Sequence, residues 1–177
     1  MTLALVRHGR TEWNRRRLMQ GRSEIPLDAY GRDQADAAGR ALGVAMWDRI
    51  VASPLARARE TAVIVAAHLG GPEVELDARL TERDYGAAEG IPVAEAHERW
   101  PGQDYPGAEA LADAAARGGA AMRDLVERGG SSVVVGHGTT LRASISSLTG
   151  EECPRILNGE IVLLEQAGGG FRARRLA

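Results

Sequence analysis

A chain of 177 residues is long enough to bury a real core, and 44% hydrophobic with 26% charged residues is the balance of a single globular domain over 1–177. A formal net charge of -2 gives no global basic field to draw nucleic acid or an anionic membrane. The 22 basic residues are all arginine, which excludes a Schiff-base lysine and a phosphate-loop lysine, and the lone Cys153 excludes a disulfide framework or a thiolate metal cage.

The N-terminus lacks a basic stretch leading into a long apolar one. No window nears the roughly 20 apolar residues of a membrane span. The expectation is a cytoplasmic protein with no membrane partner.

Leu3–Val6 is an apolar run too short for a helix and reads as a buried strand. Residues 12–24 are polar and arginine-rich and read as irregular. Asp28–Gly43 carries Ala35, Ala38, Ala41 and Leu42 at helical spacing, with Asp28 as N-cap and Gly43 as stop. Ile50-Val51-Ala52 is a second strand. Ser53-Pro54 reads as N-cap and first turn of a helix running to about Leu69, ended by Gly70-Gly71-Pro72. Val74–Leu76 is a third strand.

Residues 78–107 break the rhythm with prolines, glycines and the aromatics Tyr85, Trp100 and Tyr105. This segment is expected to form a lid or substrate wall, with one short helix near 93–99. Glu109–Arg128 reads as an alanine-rich helix weakened by Gly118-Gly119. Ser132–Val135 is a buried strand and Thr139–Leu148 a helix. Ile161–Glu165 and Phe171–Arg174 form a closing pair joined by glycines. That pair either caps the sheet or forms the interface of a homodimer.

Strands followed by helices predict an α/β fold of three layers, a mostly parallel central sheet flanked by helices. Ligands of such sheets bind beyond the carboxyl ends of the strands. Arg7-His8-Gly9 follow the first strand. Ser53-Pro54 follow the second and lead to Arg57. Gly136-His137-Gly138 follow the strand at 132–135. Two histidines and two arginines therefore meet on one rim.

Zinc would use the histidines, but adjacent arginines repel a cation and no third ligand is evident. An anion suits the set. Guanidinium forks match phosphate oxygens, and the helix after Gly138 is expected to add free N–H groups and its positive end. Gly9 and Gly138 would let backbone approach the ligand. Neutral imidazole can attack phosphorus, and neighbouring cations keep it neutral. The leaving alkoxide needs an acid, expected from 78–107.

"LVRHGRTEWN" at 5–14 resembles the signature of the histidine phosphatase, or phosphoglycerate-mutase-like, superfamily. So do "QGRSEIPLDAYGRDQA" at 20–35, "ASPLARARETA" at 52–62, "LTERDYGAAEG" at 80–90 and "VVVGHGTTLR" at 133–142. The blocks come in the family's order and span most of 3–150. The resemblance implies a phosphoglycerate-mutase-like fold, with His8 as the phosphorylated nucleophile. Arg7, Arg57 and His137 would hold the phosphoryl group, Asn14 would contact its oxygens, and Glu82 would donate the proton. Thr11, Gln20 and Gly21 match positions lining the substrate side. Glycine after His137, rather than aspartate, looks like the mutase and small-phosphatase branch.

Two departures matter. Arg10 stands where the family commonly has glutamate or glutamine; it adds charge at the mouth or faces solvent. Mutases of the family usually run longer and carry a "GLNK"-like stretch where this chain has Ala88-Glu89-Gly90-Ile91-Pro92. That favours water as the phosphoryl acceptor. The expected function is hydrolysis of a small phosphomonoester, of sugar phosphate or phosphoglycerate type, without metal or cofactor. The alternatives are a phosphoglycerate mutase, a phosphoprotein phosphatase and a non-catalytic phospho-ligand module.

Blander roles compete for several residues. Two positions along a helix differ by about 200°, so Arg59 cannot share a pocket with Arg57 and is expected at the surface. Glu12, Asp84 and Glu89 rival Glu82 as the acid. His68 reads as structural, and His97 lies in the variable segment. The loop aromatics, with Trp13, serve either as packing anchors or as a substrate wall.

Overall fold

Six strands build one mixed sheet in the computed structural model, which describes residues 1–176. Strands β1 (Thr2–Arg7), β2 (Arg49–Ala52), β3 (Val74–Leu76) and β4 (Ser132–Gly136) pair in parallel. Strands β5 (Ile161–Ala167) and β6 (Gly170–Arg175) close the sheet antiparallel, turning at Gly168 and Gly169 in left-handed backbone that glycine enters without strain. The order is β3-β2-β4-β1-β5-β6, which sets β4 between β1 and β2.

The period of two along each strand divides the core. Leu3, Leu5, Val51, Val134, Val162 and Leu164 face one way, onto α5 (Leu111–Glu127) and α6 (Gly138–Thr149). Ala4, Val6, Ile50, Ala52, Val133 and Val135 face the other way, onto α2 (Ala29–Leu42) and α3 (Ala56–His68). Both faces are covered, so β1 and β4 read as unbroken apolar runs. Each buried leucine adds about 1.5–3 kcal/mol.

Local chemistry sets the ends of these elements, and it amends two expectations. Residues 12–24 are not wholly irregular. A first turn, α1 (Glu12–Arg15), forms there because Thr11 and Asn14 make a reciprocal capping box. Ser53 is not the N-cap of α3. The helix starts after Leu55, and the carboxylate of Glu24, from a distant loop, accepts from Ala56 N–H at 2.8 Å. Asp28 does cap α2, accepting from Gly31 N–H at 2.7 Å.

The 78–107 segment carries two 3₁₀ turns and α4 (Val93–Arg99) around a small apolar cluster of its own. Met19, Tyr85, Ala88, Ala96 and Tyr105 are buried there, with Trp100 half-buried. Tyr105 meets Tyr85 and Trp100 edge-on, both at 5.8 Å between ring centres. The guanidinium of Arg83 lies 5.4 Å from the Tyr105 ring and 5.7 Å from the Tyr85 ring. These aromatics are packing anchors. His97 is exposed on α4, and His68 pairs with Asp36 at 2.7 Å.

Candidate active site

Register brings the site together. Because β4 separates β1 from β2, the three strand ends lie side by side. The ladder runs one residue past each end: His8 N–H donates to Gly136 O at 3.0 Å, and Ser53 N–H donates to Val135 O at 3.0 Å. The rings of His8 and His137 then sit 5.1 Å apart, both buried.

His8 Nδ1 lies 2.7 Å from the carbonyl oxygen of Gly9. A carbonyl only accepts, so Nδ1 carries the proton and Nε2 keeps the lone pair. Arg57 Nε donates to that Nε2 at 3.3 Å, a long bond that a substrate can displace. Burial, then the positive charges of Arg57 and Arg7, push the His8 pKa well below the usual histidine value of 6.5. His8 is therefore a neutral imidazole at neutral pH.

Arg57 is fully buried, and burial lowers its pKa to about 10, still a cation at neutral pH. Its terminal nitrogens donate to Gly21 O at 2.6 Å and Ser23 O at 2.8 Å, which ties the 21–23 loop over the site. Glu89 holds that loop from the other side, accepting from Gly21 N–H and Ser23 N–H, each at 2.9 Å. Arg59 points outward, exposed.

Ser53 has a role in the site that its reading as a cap concealed. Its Oγ accepts from Leu55 N–H at 3.3 Å and lies 2.8 Å from His137 Nε2. The hydroxyl can donate to Nε2, which leaves His137 Nδ1 with the proton. That Nδ1 has no protein partner among the described residues, and neither do the buried Arg7 Nε and Gln20 Nε2. Arg7 adjoins His8 in the chain, the His137 ring lies 5.1 Å from it and Gln20 is bonded to Thr11, and each of these atoms can supply an N–H. Unpaired buried donors cost about 1–3 kcal/mol apiece, which is tolerable where a ligand's oxygens complete them.

Glu82 is buried against the first turn of α6. Thr139 N–H and Thr140 N–H donate to its two oxygens at 3.0 and 2.9 Å, and Thr140 Oγ1 and Arg83 N–H add bonds at 3.0 and 2.8 Å. The amides expected to await an anion at this helix end are thus spent largely on a protein carboxylate. Arg117 fixes the approach to Glu82, donating to Arg79 O, Thr81 O and Glu82 O at 2.8, 2.6 and 3.2 Å. The rival acids are engaged otherwise: Glu12 pairs with Arg15, Asp84 accepts from Gly86 N–H, and Glu89, although near Arg57, is occupied with the 21–23 loop.

Arg7 donates through Nη1 to Ile156 O at 2.8 Å, and its guanidinium packs against Gly138, where an added Cβ would stand 3.2 Å from Arg7 Nε. Gly9 departs from expectation. A Cβ there would lie 2.1 Å from Gly31 O, so it admits the start of α2 rather than a ligand. Thr11 spends its hydroxyl inside the protein, donating to Gln20 Oε1 at 2.6 Å and accepting from Asn14 N–H at 3.2 Å. Arg10 pairs with Asp28 at 2.7 Å and stacks 4.5 Å over Tyr30, so its charge is offset at home.

Residues 3–177 match the histidine phosphatase superfamily, branch 1. The chain belongs to that family. It is 40% identical over 150 residues to an uncharacterised phosphatase, PhoE, of Bacillus subtilis, covering 84% of this chain and 77% of that one. It is 34% identical to a 2,3-bisphosphoglycerate-dependent phosphoglycerate mutase of Mesorhizobium japonicum, over 90% and 87% of the two chains. A mycobacterial glucosyl-3-phosphoglycerate phosphatase solved with VO3 superposes with a TM-score of 0.86 at 29% identity, over 98% and 96% of the chains. A phosphoserine phosphatase from Entamoeba histolytica gives 0.85 at 27%, over 97% and 94%. Members of this histidine phosphatase family therefore include both phosphatases and mutases.

Sequence reading missed Asn158, Arg117 and the role of Ser53. Ser-Pro masked the last as a helix start. Asn158 and Arg117 lie outside every motif block. No helix among the described residues is long and apolar enough to cross a membrane.

Proposed function

We propose that the protein is a phosphatase of small phosphomonoesters that works through a phosphohistidine on His8. The observation that carries this is the neutral His8 Nε2 lone pair, bonded by the Arg57 guanidinium with the His137 ring 5.1 Å away, in a buried setting where Arg7 Nε, Gln20 Nε2 and His137 Nδ1 have no protein partner among the described residues.

The ester's phosphoryl oxygens are held by Arg7, Arg57, His137 and Asn14. His8 Nε2 attacks phosphorus while the phosphorus–oxygen bond to the alcohol breaks, and Glu82 gives its proton to the leaving oxygen. The cations stabilise charge on the equatorial oxygens. Water then attacks the phosphohistidine, returning a proton to Glu82, and inorganic phosphate leaves with His8 neutral again. His8 keeps its Nδ1 proton on Gly9 O and is an imidazolium-like phosphoramidate only while phosphorylated. The 78–107 segment, anchored by its own cluster, forms the substrate-facing wall.

The test is alkali-quenched labelling with a phosphate ester, since the phosphorus–nitrogen bond of a phosphohistidine is lost in acid and survives in base, with released inorganic phosphate measured in parallel. Label on His8 and free phosphate as product are expected. His8→Ala should lose at least about 1,000-fold in kcat, while inorganic phosphate still binds within about tenfold, because the clamp survives. Substantial residual turnover in that variant would sink the covalent route. The mutase relatives favour a second reading, and an isomeric phosphate ester as main product would establish it.

A further inference from the structure

Asn158 lies in the turn before β5, next to the site but outside every motif. Its Nδ2 donates to the His8 carbonyl oxygen at 3.0 Å and to Asn14 Oδ1 at 3.1 Å. A backbone carbonyl can only accept, so the nitrogen of the Asn158 amide must face this way. Asn14 must then answer with its oxygen. A second backbone group makes the same demand, since Thr11 N–H donates to the same Oδ1 at 3.1 Å. Both lone pairs of Asn14 Oδ1 are thereby occupied. Its Nδ2, with two N–H donors, is turned away from Asn158 and Thr11 and left for a ligand.

We propose that Asn158 is a positioning residue that fixes the amide of Asn14 with its donor side toward the phosphoryl group. The inference rests on Asn14 contacting that group, as the proposed function has it. With Asn158 removed, only Thr11 N–H holds the oxygen in place. The flipped amide would then set a carbonyl oxygen against phosphate oxygens, turning an attraction into a repulsion.

The experiment is a double-mutant cycle on the full chain with Asn158→Ala, Asn14→Ala and both. Inorganic phosphate affinity by calorimetry, kcat/KM on an aryl phosphate and Tm are read for each. Asn158→Ala should weaken phosphate binding and kcat/KM about five- to tenfold in the wild-type background, and less than twofold in the Asn14→Ala background. A full loss in both backgrounds would mean that Asn158 acts through the His8 backbone or through stability, and would overturn the proposal. No loss in either background overturns it too. Should Asn158→Ala fold poorly, the isosteric Asn158→Asp is run through the same cycle, where its added charge is common to both backgrounds and cancels. Failure of the phosphatase reading looks different: the wild type itself would release no phosphate. If the wild type also bound no phosphate, the role of Asn14 would fall, and this inference with it.

Discussion

Arg7-His8-Gly9 places two basic side chains at a strand end with no acid beside them in sequence, and among the described residues folding brings no carboxylate into hydrogen-bond contact with His8. The nearest strong contacts of His8 are a carbonyl and a guanidinium. The residue proposed as the acid, Glu82, is instead held at the N-terminus of α6, where two amides and a hydroxyl orient its carboxyl. That separation suits one group that attacks and another that delivers a proton. Glu82→Gln keeps the shape and loses the proton. An alkyl leaving group, whose alkoxide is a strong base, should lose about 100-fold or more in kcat/KM, whereas a p-nitrophenyl ester should lose less than about tenfold. Steady-state kinetics on the two esters checks this. Equal losses would point to a different acid.

At the scale of elements, two helices meet where the sequence seemed weakest. Gly118-Gly119 reads as a flaw in an alanine-rich helix, yet α5 runs unbroken through it. A Cβ on Gly118 would stand 2.3 Å from Ser144 Oγ and 3.0 Å from Thr140 Cγ2, so the missing side chain is what lets α5 and α6 close together. Gly118→Ala gains about 1 kcal/mol of helix propensity and loses about 1–3 kcal/mol to overpacking, a net loss. Thr140 also donates to Glu82, so activity should fall with stability. Urea unfolding of Gly118→Ala, and of Gly118→Ala with Ser144→Ala, tests this. The second change removes the nearest clashing atom and should recover most of the loss. The same scale explains what sequence could and could not give. Helix caps built locally, such as Asp28, were legible. The cap of α3 was not, because Glu24 supplies it from another segment and frees Ser53 for His137.

For the molecule as a whole, the strand order was legible only in kind. Apolar runs and the strand-helix alternation predict a parallel sheet, and the rule that ligands bind beyond strand ends predicts the rim. No local pattern says that β4 lies between β1 and β2, yet that order is what joins His8 to His137. Asn158 stayed hidden for the same reason, since its partners lie 144 and 150 residues away. Assembling this rim buries two histidines, and stability should depend on pH as a result. Burial lowers the pKa of both His8 and His137, with Arg57 as the next cause for each. In the unfolded chain both would titrate near 6.5. As pH falls below that value the unfolded state takes up protons that the native state refuses. The unfolded chain then binds more protons, so stability drops with falling pH by up to about 1.4 kcal/mol per unit for each histidine. The contribution is fully present above 6.5 and is lost toward the lower folded pKa. Carboxylates held low by arginine, such as Glu75, Asp77 and Glu109, act in a separate window, below about pH 4.5. Urea unfolding from pH 7.5 to 5 should therefore show a decline that begins near 6.5, shallower in His137→Asn. Bound inorganic phosphate should blunt it, because an anion held against the two rings favours their protonated forms in the native state. A flat profile down to pH 5, or one unchanged in His137→Asn, would mean that the buried rings do not set it.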